Sequence, residues 1–150
     1  TFNQISDMVT RFSIQGSAIN AIGDEDVRVS KRLYIPSRKL RGFESGKIGP
    51  KDSGDYIGGN YTAVLNASTT LPEFGANLEK IDFQLFFDAA NVWGVDYDSS
   101  LDSSELRSSI GLGVDWYTIV GPLNFSIAQP ISKADTDKTE TVRFNIGTTF

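Results

Sequence analysis

Residues 110–116 read Ile-Gly-Leu-Gly-Val-Asp-Trp, and this segment gives the clearest indication of the fold class. Its larger apolar residues occupy every second position, with glycine or aspartate between them. Such alternation is typical of a β-strand with one apolar face, because successive side chains of a strand point to opposite faces. The same pattern recurs at 81–87, 123–127 and 142–150, and more weakly at 57–71 and about 9–21. The sequence therefore predicts an all-β protein with six strands.

The predicted strands are long for a water-soluble protein. They extend over about 9–14 residues, whereas strands of globular proteins average about 5–6 residues and a membrane-crossing strand needs about 9–11. These lengths favour an antiparallel up-and-down transmembrane β-barrel. A water-soluble β-sandwich, whose apolar face packs on a second sheet, is the alternative.

The connections between the strands alternate in length. Long segments at 22–56 and 94–106 and a charged loop at 132–140 alternate with a moderate segment at 72–80 and a tight turn at 119–121. Outer-membrane barrels have long extracellular loops and short periplasmic turns. The order of the connections therefore predicts that the C-terminus lies on the periplasmic side.

The composition excludes many enzyme classes. The chain has 150 residues, a net charge of −5, no Cys and no His. It therefore offers no thiolate nucleophile, no His-containing triad and no Cys or His ligand for a metal. The acidic balance argues against nucleic acid as a partner. We expect no catalytic residue, no metal site and no cofactor.

One acidic cluster is a candidate cation site because carboxylates can bind cations. It contains Asp96, Asp98, Asp102 and Glu105. These residues lack the Asp-x-Asp-x-Asp-Gly spacing of an EF-hand loop. We therefore interpret them as part of a solvated loop.

Four sequence blocks follow one another in a characteristic order. Residues 40–51 read Leu-Arg-Gly-Phe-Glu-Ser-Gly-Lys-Ile-Gly-Pro-Lys, and Gly-Gly-Asn follows at 58–60. The later blocks are Phe-Phe-Asp at 86–88 through Val-Trp at 92–93, Gly-Pro-Leu at 121–123 through Ala-Gln-Pro at 128–130, and Phe-Asn-Ile-Gly at 144–147 before Phe150. Over about residues 10–150 this set resembles the BamA family, the insertases of bacterial outer-membrane proteins.

The resemblance implies a large assembly in the bacterial outer membrane. A barrel of this family has sixteen strands and is preceded by periplasmic POTRA domains. Residues 1–150 would then be the C-terminal part of the barrel domain and contribute its last six strands, which cannot close a barrel alone. The implied partners are unfolded outer-membrane proteins, accessory lipoproteins bound mainly through the POTRA domains, and the lipid bilayer.

The same resemblance implies that residues 22–56 fold back into the barrel lumen, with Arg41, Gly42 and Phe43 at the tip. In the family the motif arginine contacts acidic residues of the inner wall, and one of those positions matches Asp88. The alternation independently places Asp88 on the inward face. The second acidic position aligns with Ser68, which can accept a hydrogen bond but brings no charge.

The tip and the wall also contain glycines with expected roles. Gly42 is expected to allow a turn that a Cβ would block, and Phe43 to pack beneath the tip. Gly111 and Gly113 share the inward face of their strand. We expect them to make room for the loop that folds back onto them.

The C-terminal strand is the second candidate site. Its residues Phe144, Ile146, Gly147 and Phe150 resemble the β-signal of outer-membrane proteins, and in the family this strand forms a lateral gate. A strand edge with unpaired N–H and C=O groups can template an incoming strand. An ordinary closing strand has the same pattern, so only the loop motif distinguishes an insertase from its substrates.

Two other functions remain open at this stage. One is a two-partner-secretion or translocation-assembly transporter with a similar loop tip, although the Ile-Gly-Pro-Lys run at 48–51 favours the insertase. The other is a small autonomous barrel that acts as an adhesin or binding module. Such a barrel would need eight strands. The sequence allows a seventh strand at 27–35, but an eighth is hard to find.

Overall fold

The computed structural model describes residues 8–23, 25–72, 80–102 and 105–146. Within them the fold is all-β, with two single-turn 3-10 helices at Val29–Lys31 and Ser99–Leu101. The strands are β1 (Thr10–Ala18), β2 (Lys51–Asp52), β3 (Asp55–Tyr56), β4 (Tyr61–Thr70), β5 (Ile81–Trp93), β6 (Arg107–Thr118), β7 (Gly121–Ser132) and β8 (Val142–Ile146). Among the described residues, no helix is long and apolar enough to cross a membrane.

Six of these strands form one antiparallel sheet in the order β1-β4-β5-β6-β7-β8. The prediction of six strands is confirmed. Five of them, β1, β4, β5, β6 and β7, are long, with 9, 10, 13, 12 and 12 residues, and β8 has five within the described residues. The segment 27–35 is not a strand. It contains the 3-10 helix at Val29–Lys31, and only Leu33 forms an isolated bridge, with Gly59.

The up-and-down order places successive connections at opposite ends of the sheet. The connections from β1 to β4, from β5 to β6 and from β7 to β8 lie at one end of the sheet, because neighbouring strands are antiparallel. The connections from β4 to β5 and from β6 to β7 lie at the other end. Only Ile119 and Val120 separate β6 from β7. The two longest connections therefore lie at one end and the two-residue turn at the other, whereas the connections at 71–80 and 133–141 are similar in length, so the predicted alternation holds only in part.

The two faces of the sheet differ in chemistry. One face exposes large apolar side chains, including Leu112 (50% exposed), Phe125 (48%) and Phe144 (46%). Phe125 and Phe144 lie opposite each other in the register, with ring centroids 4.8 Å apart. Leu112 likewise lies opposite Leu85 of β5 and Ile127 of β7, so the apolar face continues from strand to strand.

The other face, called the inner face here, is covered by the long loop (residues 19–60 between β1 and β4). The loop contributes four buried apolar side chains to a cluster with Val64 of β4 and Ala90 and Val92 of β5. The loop members are Ile35, Leu40, Phe43 and Ile48. Burial of these side chains holds the loop on the sheet.

The β2–β3 hairpin is a two-stranded element inside the long loop. Ser53 and Gly54 connect its two strands with φ of 51° and 94°. Positive φ at both central residues is characteristic of a type I′ turn, which matches the twist of a two-stranded hairpin.

Candidate functional site at the tip of the long loop

Arg41 of the long loop and Asp88 of β5 form an ion pair on the inner face. Arg41 Nε donates to Asp88 Oδ2 at 2.7 Å, and Nη2 donates to Oδ1 at 2.8 Å. The backbone N–H of Arg41 donates a third hydrogen bond, to Oδ2, at 3.1 Å. The Asp88 side chain is fully buried, whereas 18% of the Arg41 side chain is exposed. The guanidinium and carboxylate thus pair in the bidentate arrangement that fixes orientation as well as charge.

An aromatic ring lies beneath the Arg41 guanidinium. Arg41 Cζ is 3.5 Å from the centroid of the Phe86 ring, and Phe86 is almost fully buried. A cation in this position is attracted to the ring face. The Arg41 guanidinium therefore stacks on the Phe86 ring, while its edge donates hydrogen bonds to Asp88.

The inward glycines of β6 make room for side chains of the wall, so the expectation that they accommodate the long loop is wrong. Gly111 lies opposite Phe86 in the register, and a Cβ on Gly111 would come within 2.5 Å of Phe86 Cζ. A Cβ on Gly113 would meet Gln84 Cγ at 2.7 Å. Atoms of β5 and β7 surround Gly111, and Gln84 of β5 lies against Gly113, so neighbouring strands rather than the loop fill the space at both glycines.

Gly42 has a backbone conformation that favours glycine. Its φ is +91°, and a Cβ would lie 3.1 Å from Ala128 Cβ and 3.3 Å from Ser109 Cβ. The tip therefore approaches β6 and β7 more closely than a larger residue allows. The Ser109 hydroxyl uses this proximity to donate a hydrogen bond to the Arg41 carbonyl.

Phe43 lies under the tip and is 1% exposed. Its side chain belongs to the apolar cluster between the loop and the sheet, and its backbone forms an antiparallel bridge with Thr139. The three tip residues thus make different contacts. Arg41 forms an ion pair, Gly42 allows a close backbone approach, and Phe43 packs in the apolar cluster.

Ser68 does not provide the expected second contact. It faces the same cavity as Arg41, but within the described residues its hydroxyl makes no hydrogen bond to the long loop. Asn66, two residues earlier in β4, takes this place: its Nδ2 donates to Asp88 Oδ1 and to the Lys39 carbonyl, each at 2.8 Å. Asn66 lies directly opposite Asp88 in the register, whereas Ser68 lies opposite Phe86.

A family model described as the Omp85 superfamily domain matches residues 1–150. The chain belongs to the Omp85 superfamily.

Individual relatives agree with this assignment. Outer membrane protein assembly factor BamA of Neisseria meningitidis serogroup B is 34% identical, over 74% of this chain and 17% of that protein. BamA of Neorickettsia risticii is 30% identical, over 99% of this chain and 21% of that protein. The crystal structure of BamA from Haemophilus ducreyi lacking POTRA domains 1-3 matches with a TM-score of 0.80 and 28% identity, over 91% of this chain and 30% of that one. The Omp85 chain spans about a fifth of the length of the two BamA proteins it matches.

The acidic cluster is exposed to solvent as expected, and one of its members, Asp96, also forms the second ion pair of the Omp85 chain. Asp96 pairs with Arg32, whose side chain is fully buried, and accepts hydrogen bonds from the Val27 N–H at 2.8 Å and from Asn60 Nδ2 at 3.1 Å. Burial raises the pKa of Asp96, but these hydrogen bonds and the Arg32 charge together lower it to about 2. Within the described ranges, no group of three or more acidic residues could hold a metal.

The third ion pair of the Omp85 chain is the most buried. Arg107, at the start of β6, donates from Nε to Asp137 Oδ2 at 2.8 Å and from Nη2 to Oδ1 at 3.2 Å, and both side chains have 0% exposure. Asp137 lies between β7 and β8, and it also accepts from the Gly49 N–H of the long loop at 3.3 Å. Nothing in the residue pattern alone distinguishes Asp137 from its charged neighbours.

A polar cavity of about 680 Å³ lies beside the tip. Its lining includes Arg11 of β1 and Arg143 of β8, the two outermost strands of the sheet, as well as Arg41. Because residues of both outermost strands face one cavity, the sheet of the Omp85 chain is curved around its inner face.

The C-terminal strand of the Omp85 chain is described only in part. Phe144 and Ile146 lie on the outer face with 46% and 68% exposure. Gly147 and Phe150 lie outside the described residues. Within the described ranges β8 pairs with β7 alone, so its other edge faces away from the sheet.

Proposed function

We propose that residues 1–150 are the C-terminal part of a sixteen-stranded barrel that assembles β-barrel proteins into the bacterial outer membrane. The observation that carries this proposal is the docked tip, in which Arg41, Gly42 and Phe43 make three specific contacts with the inner face. The BamA proteins that the chain resembles are named as outer membrane protein assembly factors. POTRA domains and the earlier strands would precede this segment.

The proposed orientation follows from the two faces and the two ends of the sheet. The apolar outer face contacts lipid, because a continuous band of exposed apolar side chains is stable only against an apolar environment. The end with the long connections faces the exterior, and the end with the two-residue turn faces the periplasm. In this orientation β8 runs toward the periplasm, and the C-terminus lies there.

The proposed mechanism is strand templating at the edge of β8. The free backbone groups of this edge pair with a strand of an unfolded outer-membrane protein, while Phe144 and Ile146 face lipid. Gly147 and Phe150 complete the C-terminal signal. Assembly by strand addition requires hydrogen bonds and apolar burial but no covalent step, so no catalytic residue or cofactor is assigned.

The proposed partners are unfolded β-barrel proteins, the lipid bilayer and, through POTRA domains, accessory lipoproteins. No nucleic acid is among them, because the net charge of −5 would repel a phosphate backbone.

Depletion of the full-length gene product in its own bacterium tests the assembly function. We expect several unrelated barrel proteins to lose their folded, heat-modifiable form in gel electrophoresis, and the unaltered gene to restore it. Normal levels of folded barrel proteins after depletion would contradict the proposal. Loss of one secreted passenger alone would instead indicate a two-partner-secretion transporter.

Photo-crosslinking tests the edge of β8 directly. A photo-reactive phenylalanine analogue replaces Ile146 in one protein and Leu85, in the fully paired strand β5, in the control; both side chains are exposed on the outer face. We expect a substrate with a C-terminal β-signal to crosslink at position 146 and not at position 85. Equal crosslinking at the two positions would contradict templating at β8.

A further inference from the structure

We propose that Asp137 is a positioning residue that ties the tip of the long loop to the beginning of β8. The inference rests on the proposed function, in which β8 presents an edge to an incoming strand. Residues 134–141, called the strap here, connect β7 to β8 and contact the loop tip along their length. Neither the motif residues nor the C-terminal signal includes any part of the strap.

The strap pairs with the tip as a short additional strand. Phe43 and Thr139 form an antiparallel bridge. Three backbone hydrogen bonds of 3.0 Å flank it: Glu140 N–H to the Gly42 carbonyl, Glu44 N–H to the Lys138 carbonyl, and Lys138 N–H to the Lys47 carbonyl. The docked tip and the strap therefore stabilise each other through main-chain groups, which depend on position rather than on side-chain identity.

Asp137 joins three separate segments at one carboxylate. It accepts from Arg107 of β6, from the Gly49 N–H of the long loop at 3.3 Å, and from the Ala134 N–H of the strap at 2.8 Å. Both charged side chains are fully buried. A buried charge is tolerated only when its partners are in place, so this carboxylate favours the one arrangement in which all three segments meet.

The end of the strap sets the beginning of β8. The Thr141 carbonyl accepts from the Ala128 N–H of β7 at 2.8 Å, and β8 begins at the next residue, Val142. A strap that leaves the tip therefore displaces the first residues of β8. Docking of the loop and placement of β8 are consequently linked, and the linkage acts in both directions.

A designed cysteine pair reports on the strap. Glu44 and Lys138 are exposed neighbours in the paired register, and the chain has no Cys of its own. In the full-length protein in outer membranes, the Glu44→Cys and Lys138→Cys pair should form a disulfide under mild oxidation. Asp137→Asn should lower the yield about fivefold, within the usual range of coupling between sites. The control is Asp135→Asn, which changes an exposed acid of the same strap and should leave the yield unchanged.

A second variant covers the case in which Asp137→Asn fails to fold. Arg107→Lys keeps the buried positive charge but loses the fork that binds both carboxylate oxygens. It should lower the disulfide yield by less than Asp137→Asn does. An unchanged yield in both variants would overturn the proposal.

Crosslinking at position 146 then tests whether the strap acts on β8. Asp137→Asn should lower substrate crosslinking about fivefold, and oxidation of the cysteine pair should restore it, because the disulfide replaces the lost tie. A lowered disulfide yield with unchanged crosslinking would overturn the link to β8. Absence of crosslinking in the protein with Asp137 intact would contradict the proposed function instead, and the disulfide yields would still decide whether Asp137 holds the strap.

Discussion

Replacement of Asp88 by Asn is expected to release the tip of the long loop. Asp88 accepts three hydrogen bonds from Arg41 and one from Asn66. An amide at this position keeps one acceptor and turns an N–H₂ group toward donors of Arg41 or Asn66, so at least one contact becomes repulsive. Breaking a buried ion pair by removal of one partner costs about 3–5 kcal/mol.

The low end of this range applies here, because 18% of the Arg41 side chain remains exposed and the adjacent cavity is polar. A cost of about 3 kcal/mol increases the population of the undocked loop about a hundredfold. The pairing of β5 with its neighbours is carried by main-chain groups, so we expect the sheet itself to persist.

Limited proteolysis with trypsin measures this population in the full-length protein in outer membranes. Cleavage at Lys39 and Lys47 should become about a hundredfold faster in the Asp88→Asn variant, since proteolysis follows the population of the open form when closing is fast. Arg41→Ala should act in the same direction, and the double variant should cost less than the sum of the two.

The matched control is Asp55→Asn on the β2–β3 hairpin. It makes the same chemical change in the same loop, and within the described residues the Asp55 side chain has no hydrogen bond or ion pair. Its cleavage rate should stay near that of the unaltered protein. An Asp88→Asn variant that is cleaved no faster than this control would refute the ion pair as the anchor and leave the apolar cluster in that role.

Three further predictions concern the same loop. Gly49→Ala places a Cβ against Val92 Cγ1 at a φ of +97° and should lower the free energy of unfolding by about 2 kcal/mol. A lower unfolding temperature of the heat-modifiable band measures this loss. The control Gly54→Ala has a similar φ but no atom near its Cβ, so it should lose less stability. The pKa of Asp96 is about 2, against 3.8 for the free side chain. The ionised carboxylate therefore stabilises the docked loop fully above about pH 4, and this stabilisation is lost as the pH falls through 2. Peptic cleavage of the loop should rise over that interval, and Asp96→Asn should abolish this dependence on pH. Ser68→Ala should change tryptic cleavage of the loop little, within about 0.5 kcal/mol, and a large increase would contradict the assignment of its role to Asn66.

The strands and their two faces were accessible from the sequence because period-2 alternation is a local property. The segment 110–116 lies within β6, and the parity of β5 places Asp88 on the inner face. The alternation at 27–35 was misleading because it lacks a neighbouring strand to pair with, and only Leu33 finds one partner. A local pattern therefore predicts a strand only when the fold supplies an edge.

The partners of the buried charged side chains could not be predicted from the sequence in the same way. Asn66 and Ser68 have the same parity in β4, and only the register puts Asn66 opposite Asp88. The ion pairs of Arg32 with Asp96 and of Arg107 with Asp137 join residues 64 and 30 positions apart, and the charge pattern of the loops does not predict them.

The order of residue types was sufficient to predict the all-β class, the apolar outer face and the resemblance carried by the motif blocks. These depend on the order of residue types along the chain, which is independent of how the strands pair. Three contacts could be identified only from the three-dimensional structure. Asn66 rather than Ser68 supports the tip, Phe86 fills the space next to Gly111, and Asp137 joins the loop tip to the beginning of β8. Each of these contacts depends on register and on the path of a loop over the sheet, and both are set by the packing of distant segments rather than by local pattern.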